Sequence, residues 1–334
     1  MRYVIIGAGA IGGSLGGRLH QGGHEVVLVA RGEHGRVLRE DGLTLVTPEG
    51  RARLRVPVVS GPAEIGLAPD DVLVLAVKTQ DTVAALDAWR GRPVLGGGTA
   101  GERLPVLCAQ NGVANEVMAL RRFRRVYGAF VLLPATYLTP GEIVAPGAPL
   151  TGLLVLGRHP SGIDDTAERI AADLEASRFR AVTVPDLPRW KYLKLLGNLG
   201  NAIEAVCGEP SPELHVRARA EADHVLRAAG IDRADDADIA ELRGALVETR
   251  EIEGEQVSRN SSWQSIRRGG SVETDYLNGE IVVMGRTLGV PTPVNEALQD
   301  AANESARLGR APGELSLDEL VARIAAHERL TVGG

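Results

Sequence analysis

A chain of 334 residues with a net charge of −6, 44% hydrophobic and 24% charged residues, has the profile of an ordinary globular protein with room for two domains. Aromatic residues supply only 3% and no basic run is interleaved with them, which argues against stacking on nucleic acid, and no apolar run reaches the length of a membrane span. Cys108 and Cys207 stand far apart without metal spacing or a disulfide framework, so a reducing cytoplasm is the expected compartment.

The chain opens with a β-rich run, Tyr3 to Ile6, followed by Gly7-Ala8-Gly9-Ala10-Ile11-Gly12 and an apolar, small-residue helix through about Leu19. Glycines so placed allow a tight turn, close approach of the backbone to a pyrophosphate at the helix N-terminus, and close packing of helix on strand. The next strand, Glu25 to Val29, ends in Ala30-Arg31-Gly32. With no acid at the strand end for a ribose 2′-hydroxyl and an arginine just beyond it for a 2′-phosphate, NADP is favoured over NAD, with Glu33 and a spare Arg36 close by. His20 and His24 have the spacing of a helical metal pair, but Gly22 and Gly23 between them end any helix, and no metal is expected.

Residues 43–59 alternate around Pro48-Glu49-Gly50 as a hairpin does, and Val72 to Val77 is a continuous apolar run typical of a buried parallel strand. That run ends at Lys78-Thr79-Gln80, and Leu104 to Ala109 repeats the device with Gln110-Asn111-Gly112. Polar groups at the C-terminal edges of two strands lie where open α/β sheets bind ligands, which puts Lys78, Gln80 and Asn111 near a nicotinamide. The arginines at 121, 122, 124 and 125 read as the solvated end of a helix before a strand at Val126. Residues 126–157 are β-rich; a helix over 164–177 leads to a last strand near 181–184, and Pro185-Asp186-Leu187-Pro188 reads as the domain boundary.

Beyond it the periodicity is helical: 190–207, 213–229, 239–258, 272–288, 295–308 and one more helix in the tail. Read as one continuous helix, Trp190 to Cys207 carries Lys191, Lys194, Asn198, Asn201 and Ala205 within one quadrant, a stripe of ammonium and amide donors rather than the mixed charges of a solvated face. Of 37 basic residues only Lys78, Lys191 and Lys194 are lysine, the trace of a codon bias that has replaced lysine elsewhere. An ammonium can be desolvated and pass a proton where a guanidinium cannot, so lysine persists where arginine is chemically unacceptable. Downstream, Asn260-Ser261-Ser262 and Ser271-Val272-Glu273-Thr274-Asp275-Tyr276-Leu277-Asn278-Gly279 place hydroxyls, carboxylates and an amide together, with Ser271 and Asp275 readable as an ordinary helix start.

Taken together, GAGAIG, VKTQ at Val77, QNG at Gln110, K-L-L-x-N at Lys194, and S-S followed by E-x-D-x-x-N-G at Glu273 resemble the ketopantoate reductase family, 2-dehydropantoate 2-reductases of the 6-phosphogluconate-dehydrogenase-like superfamily. The resemblance implies an α/β fold: an N-terminal Rossmann-type doubly wound sheet binding NADP over residues 1–185 and an all-helical C-terminal domain over 186–334. It implies Lys194 as the catalytic lysine and Glu273 as the carboxylate that anchors a substrate hydroxyl and orients that lysine. Asn111, Asn198, Asn201 and Ser261 follow as substrate ligands, with Gly7, Gly9, Ala10, Ile11, Gly12, Arg31, Lys78, Gln80 and Asn111 holding the cofactor. Hydride arriving at a ketone builds negative charge on oxygen, which a positioned ammonium can stabilise and protonate.

The expected reaction is NADPH-dependent reduction of a 2-oxo acid, ketopantoate giving pantoate for pantothenate and coenzyme A. Asn201 follows Asn198 by three residues where the family has four, a departure that touches the substrate's far end and keeps a different 2-keto acid or ketone open. An NADP-sensing regulatory protein without turnover is the reading of another class. The expected partner is a small-molecule 2-keto acid, with no nucleic acid or membrane, and a homodimer is compatible with the reading.

Overall fold

The structure is a computed structural model and describes residues 1–255 and 259–332. The chain forms two compact units, one built from Met1–Lys191 and the stretch beginning at Asp235, the other from Tyr192–Ala234 and the stretch beginning at Arg259. The chain thus passes between units at three points, where a single division at 185/186 was expected.

In the first unit β1 (Arg2–Ile6) leads through the glycine turn into α1 (Ala10–Gln21), β2 (Glu25–Val29) and α2 (Gly32–Glu40). The expected hairpin is β3 (Leu43–Thr47) against β4 (Gly50–Leu54), after which β5 (Val58–Val59) returns to pair with β2. There follow β6 (Asp71–Leu75), α3 (Thr82–Arg90), α4 (Ala100–Arg103), β7 (Pro105–Cys108), α5 (Asn115–Leu120), β8 (Arg125–Leu132), β9 (Glu142–Val144), β10 (Gly147–Pro149), β11 (Gly152–Arg158), α6 (Asp165–Ala176) and β12 (Phe179–Thr183).

Eight of these strands make one sheet in the order β12-β11-β8-β7-β6-β1-β2-β5, parallel throughout except where β8 meets β11. After Arg2, apolar residues at every position of β1 bury both faces: Tyr3 and Ile5 join one core with Leu15, Leu28 and Leu107, while Val4 and Ile6 join another with Leu75, Trp89 and Phe123. Strand order reverses about β1, with β2 to one side and β6, β7 and β8 to the other. A crevice outside the carboxyl ends of β1 and β6 is the consequence.

The helical series begins with α7 (Leu187–Asn198), α8 (Asn201–Cys207) and α9 (Pro212–Ala228), so the expected continuous helix over 190–207 is broken at Leu199-Gly200. Side chains explain the break. His215 Nε2 donates to the Leu196 carbonyl at 3.1 Å and the buried Asn278 Nδ2 donates to the Leu199 carbonyl at 3.1 Å, taking over acceptors that a continuing helix would fill. A Cβ at Gly200 would lie 3.1 Å from the His215 ring, so glycine suits the turn.

The expected helix over 239–258 is instead α10 (Asp236–Arg243), ended by Gly244 at φ +47°, and β13 (Val247–Thr249), which pairs antiparallel with β10 in the first unit. Residues 256–258 of that span lie outside the described residues. In the second unit α11 (Ser261–Arg267), α12 (Asn278–Leu288), α13 (Pro293–Leu308) and α14 (Leu317–Val332) complete the series. The helix expected from Val272 starts only at Asn278, after a single 3-10 turn over Thr274–Tyr276. Asp275 accepts from Gln299 Nε2 at 2.7 Å and Asn303 Nδ2 at 2.6 Å, which draws the segment onto α13 before an α-helix can form.

Candidate active site

The glycine turn separates into positions with different physical demands. Gly7 has φ +100°, and a Cβ there would lie 2.9 Å from the Val77 nitrogen; at Gly12 a Cβ would lie 1.9 Å from the Gly7 carbonyl oxygen. Both must be glycine for the strand, turn and helix to pack. Gly9 is different: its φ is −71°, and the nearest atom to an added Cβ is Tyr137 Cδ1 at 4.0 Å. Gly9 is also the N-cap of α1, whose first turn contains Ala10, Ile11 and Gly12 and no acidic residue of its own to offset the positive end of the helix dipole.

His34, which the sequence reading passed over, steadies this turn. The Gly141 N–H donates to His34 Nδ1 at 2.9 Å, so the ring proton resides on Nε2, which donates to the Ala8 carbonyl at 2.8 Å. A cavity of about 320 Å³ opens beside the turn, its walls including Gly7, Arg31, His34, Pro62 and Asp81. Arg31 is exposed at the N-cap of α2. Arg36 is no spare cation: its Nη2 lies 2.6 Å from Glu33 Oε1, and Glu40 takes Nη1. Arg31 is therefore the cation at the end of β2 that no carboxylate holds among the described residues.

A buried polar network joins the two strand tips. Gln110 Nε2 donates to the Val77 carbonyl at 3.0 Å and to Thr82 Oγ1 at 2.7 Å; Thr82 donates to Asn115 Oδ1 at 2.7 Å. Asn115 Nδ2 in turn reaches the Asn111 carbonyl at 2.9 Å and Thr79 Oγ1 at 3.3 Å. The segments carrying Lys78, Gln80 and Asn111 are thus fixed to each other rather than free loops. Gln110 was recognised from sequence only as part of a turn; Thr82 and Asn115 were missed, though N-E directly after QNG-V-A was a usable signal.

Lys191 is a correction. Expected on a polar stripe one turn before Lys194, it is instead 4% exposed and committed within the first unit, its Nζ 2.8 Å from Glu116 Oε1, itself 2% exposed. Neither cysteine offers a thiolate: burial raises the Cys108 thiol well above its ordinary value and pushes Cys207 up to about 11.

In the second unit Lys194 and Asn198 are half-buried and four apart on the intact part of α7, hence on one face. Asn198 Nδ2 is buried and has no hydrogen-bond acceptor among the described residues. Asn201 begins the separate helix α8, so its spacing from Asn198 no longer fixes the direction in which it faces. Glu204, another residue the sequence reading passed over, accepts from Arg259 Nη1 at 2.9 Å and from Asn260 Nδ2, tying α8 to the N-terminus of α11 where Ser261 stands half-buried.

The E-x-D-x-x-N-G segment divides by role. Asp275 and Asn278 are structural, Asn278 Nδ2 also contacting Asn295 Oδ1 at 3.1 Å, whereas Glu273 is half-buried at the entry to the 3-10 turn. Ser271, expected as a helix cap, is exposed and precedes no α-helix. Of the expected site residues, the cofactor set and Asn111 therefore belong to the first unit, and Lys194, Asn198, Asn201, Ser261 and Glu273 to the second. Among the described residues no helix is long and apolar enough to cross a membrane, and no group of three or more His, Cys, Asp or Glu could hold a metal.

Comparison with known proteins matches two family descriptions along the chain, ketopantoate reductase PanE/ApbA over residues 3–160 and ketopantoate reductase PanE/ApbA C terminal over residues 187–306. A 2-dehydropantoate 2-reductase of Archaeoglobus fulgidus is 30% identical, with 89% of this chain and 95% of the relative covered. One from Pyrococcus horikoshii is 26% identical, covering 92% and 99%. Among solved structures, a PanE/ApbA family ketopantoate reductase from Ralstonia eutropha JMP134 has a TM-score of 0.75 at 27% identity, covering 92% of this chain and 99% of the other. D-mandelate dehydrogenase, solved with NADH and anilino(oxo)acetate, shares the fold with a TM-score of 0.76 at 22% identity, covering 92% and 99%. An α/β sheet domain followed by a helical domain, matched over both halves, makes this chain a member of the ketopantoate reductase PanE/ApbA family and an oxidoreductase.

Proposed function

We propose that this protein reduces a 2-oxo acid with NADPH, ketopantoate being the substrate and pantoate the product, within a reducing cytoplasm. The observation that carries the reading is the pair Lys194 and Asn198: a half-buried ammonium and, four residues along the same face, a buried amide donor with no acceptor among the described residues. Buried donors are almost always paired, so this one is suited to an acceptor brought by a ligand.

The site residues fit a nicotinamide dinucleotide. Neither packing nor backbone conformation demands glycine at position 9, whereas a pyrophosphate drawn to the N-terminus of α1 does, because its oxygens must approach the main chain. Ala10, Ile11 and Gly12 continue that cradle, and Gly7 shapes it. Arg31 supports NADP over NAD, since Glu33 is engaged by Arg36 and no acid ends β2. Lys78, Gln80 and Asn111 serve the nicotinamide end.

A bound nicotinamide supplies the hydride. Lys194 stabilises the growing negative charge on the ketone oxygen and donates its proton to it, while Glu273 orients the ammonium and accepts from a substrate hydroxyl. Asn111, Asn198, Asn201 and Ser261 bind the polar groups of the oxo acid. A 2-oxo acid other than ketopantoate is the second reading, favoured by Glu204, whose pairing with Arg259 gives the α8–α11 junction charges of its own. Following NADPH consumption with ketopantoate and a panel of other 2-oxo acids tests the proposal: rapid turnover of one names the substrate, and absence of turnover with every member ends the reductase reading.

A further inference from the structure

Asn111 is held from both sides. On its far side the Asn111 carbonyl accepts from Asn115 Nδ2 at 2.9 Å, fixing the peptide plane that leads to Gly112, which has φ +76°. On its near side the Gln110 carbonyl, in the same peptide plane as the Asn111 N–H, accepts from Lys191 Nζ at 2.7 Å. The ammonium also lies 3.4 Å from the Ala129 carbonyl and is ion-paired with Glu116 Oε1 at 2.8 Å, so three oxygens surround it.

Space for this arrangement is built in. A Cβ on Gly128 of β8 would stand 2.7 Å from Glu116 Oε1, so only glycine there admits the carboxylate. Burial lowers the His159 imidazole below its ordinary value and raises the Cys108 thiol, in both cases favouring the uncharged form beside the pair. Glu116 is left as the counter-ion of Lys191. A planar guanidinium does not fit a three-point cage made for a compact ammonium, which explains why lysine survives here in a chain that otherwise uses arginine.

Stability is a poor reason to keep such a pair. Taking both charges out of water offsets most of their attraction, and apolar residues of similar volume commonly do as well. We propose that Lys191, neutralised by Glu116, is a positioning residue that sets the Gln110-Asn111 peptide and thereby aims Asn111 at the nicotinamide end of the bound cofactor. The assignment rests on the placement of Asn111 at the nicotinamide given above. Its test is a binding measurement, so a protein that binds cofactor but reduces no oxo acid would end the reductase reading without touching it.

Two double variants separate positioning from folding: Lys191→Met with Glu116→Leu, which removes charge and donor together, and Lys191→Gln with Glu116→Gln, which keeps an amide donor. Each is titrated with the cofactor that the wild-type protein binds more tightly, NADPH or NADH, and with its nicotinamide-free fragment, 2′-phospho-ADP-ribose or ADP-ribose. In the Met/Leu variant the full cofactor should bind about tenfold more weakly, the scale of one ordered hydrogen bond, while the fragment binds as in the wild type. The Gln/Gln variant should regain most of that loss. Equal weakening of cofactor and fragment, or no weakening of either, in a variant that keeps the wild-type melting transition would overturn the assignment. Failure of both variants to fold cooperatively would overturn it too, by making the pair a folding element.

Discussion

Replacing Gly9 with alanine isolates the cofactor from the fold. In the protein itself the new methyl meets nothing closer than Tyr137 Cδ1 at 4.0 Å, and φ of −71° suits any L-residue. Two small effects on stability oppose each other. Alanine stabilises by roughly 0.4–1 kcal/mol through a less flexible unfolded chain, and it is a poorer N-cap than glycine by about the same amount. The melting temperature should therefore stay within about 4 °C of wild type.

On the proposed placement of the cofactor, however, the methyl stands where a pyrophosphate would approach the main chain. Losing one charge-assisted hydrogen bond, about 1.5–3 kcal/mol, weakens cofactor binding by roughly 10- to 150-fold. Isothermal titration with NADPH, beside a thermal melt of the unliganded protein, reads both quantities. Gly12→Ala is the contrast, because its Cβ would lie 1.9 Å from the Gly7 oxygen and must disrupt packing before any ligand is added. A Gly9→Ala protein that binds NADPH like wild type, or one that unfolds like Gly12→Ala, would refute the reasoning.

Further substitutions probe separate parts of the account. Arg31→Ala should weaken NADPH by roughly tenfold or more while leaving NADH nearly unchanged, the mark of a lost charge-assisted contact to one phosphate, and equal losses for both would remove the case for NADP. Lys194→Ala should lower kcat by about 10² or more with cofactor affinity retained, as loss of a general acid requires. Asn278→Leu strips the donor from the Leu199 carbonyl at the α7–α8 turn. It should cost about 1–3 kcal/mol in chemical denaturation for the buried acceptor left unmatched, and an unchanged midpoint would mean the turn does not depend on it.

What sequence made visible was whatever followed from local rules. The glycine turn, the buried strands ending at Lys78 and Gln110, and most of the helices stand where periodicity and turn residues put them, because those signals act over a few neighbours. The failures were non-local. The break after Asn198 depends on His215 and Asn278, the late start of α12 on Gln299 and Asn303, and the strand Val247–Thr249 on β10; none of these partners is near in sequence.

Lys191 shows both sides of this. Composition marked it as a lysine that arginine could not replace, yet its assignment to a polar stripe with Lys194 and Asn198 came from helical spacing alone, and only the fold brings Glu116 and the Gln110 carbonyl to it. Asp275 was readable from sequence as part of an ordinary helix start; its contacts instead are with Gln299 and Asn303 of α13, far along the chain.

The central claim concerns where the hydride goes. NADPH deuterated at its transferable position, incubated with the preferred 2-oxo acid, should yield a 2-hydroxy acid that carries the deuterium on the carbinol carbon, by mass spectrometry and NMR, and Lys194→Ala should form that labelled product far more slowly. A hydroxy acid without the label, or labelled product formed equally fast by Lys194→Ala, would contradict the account.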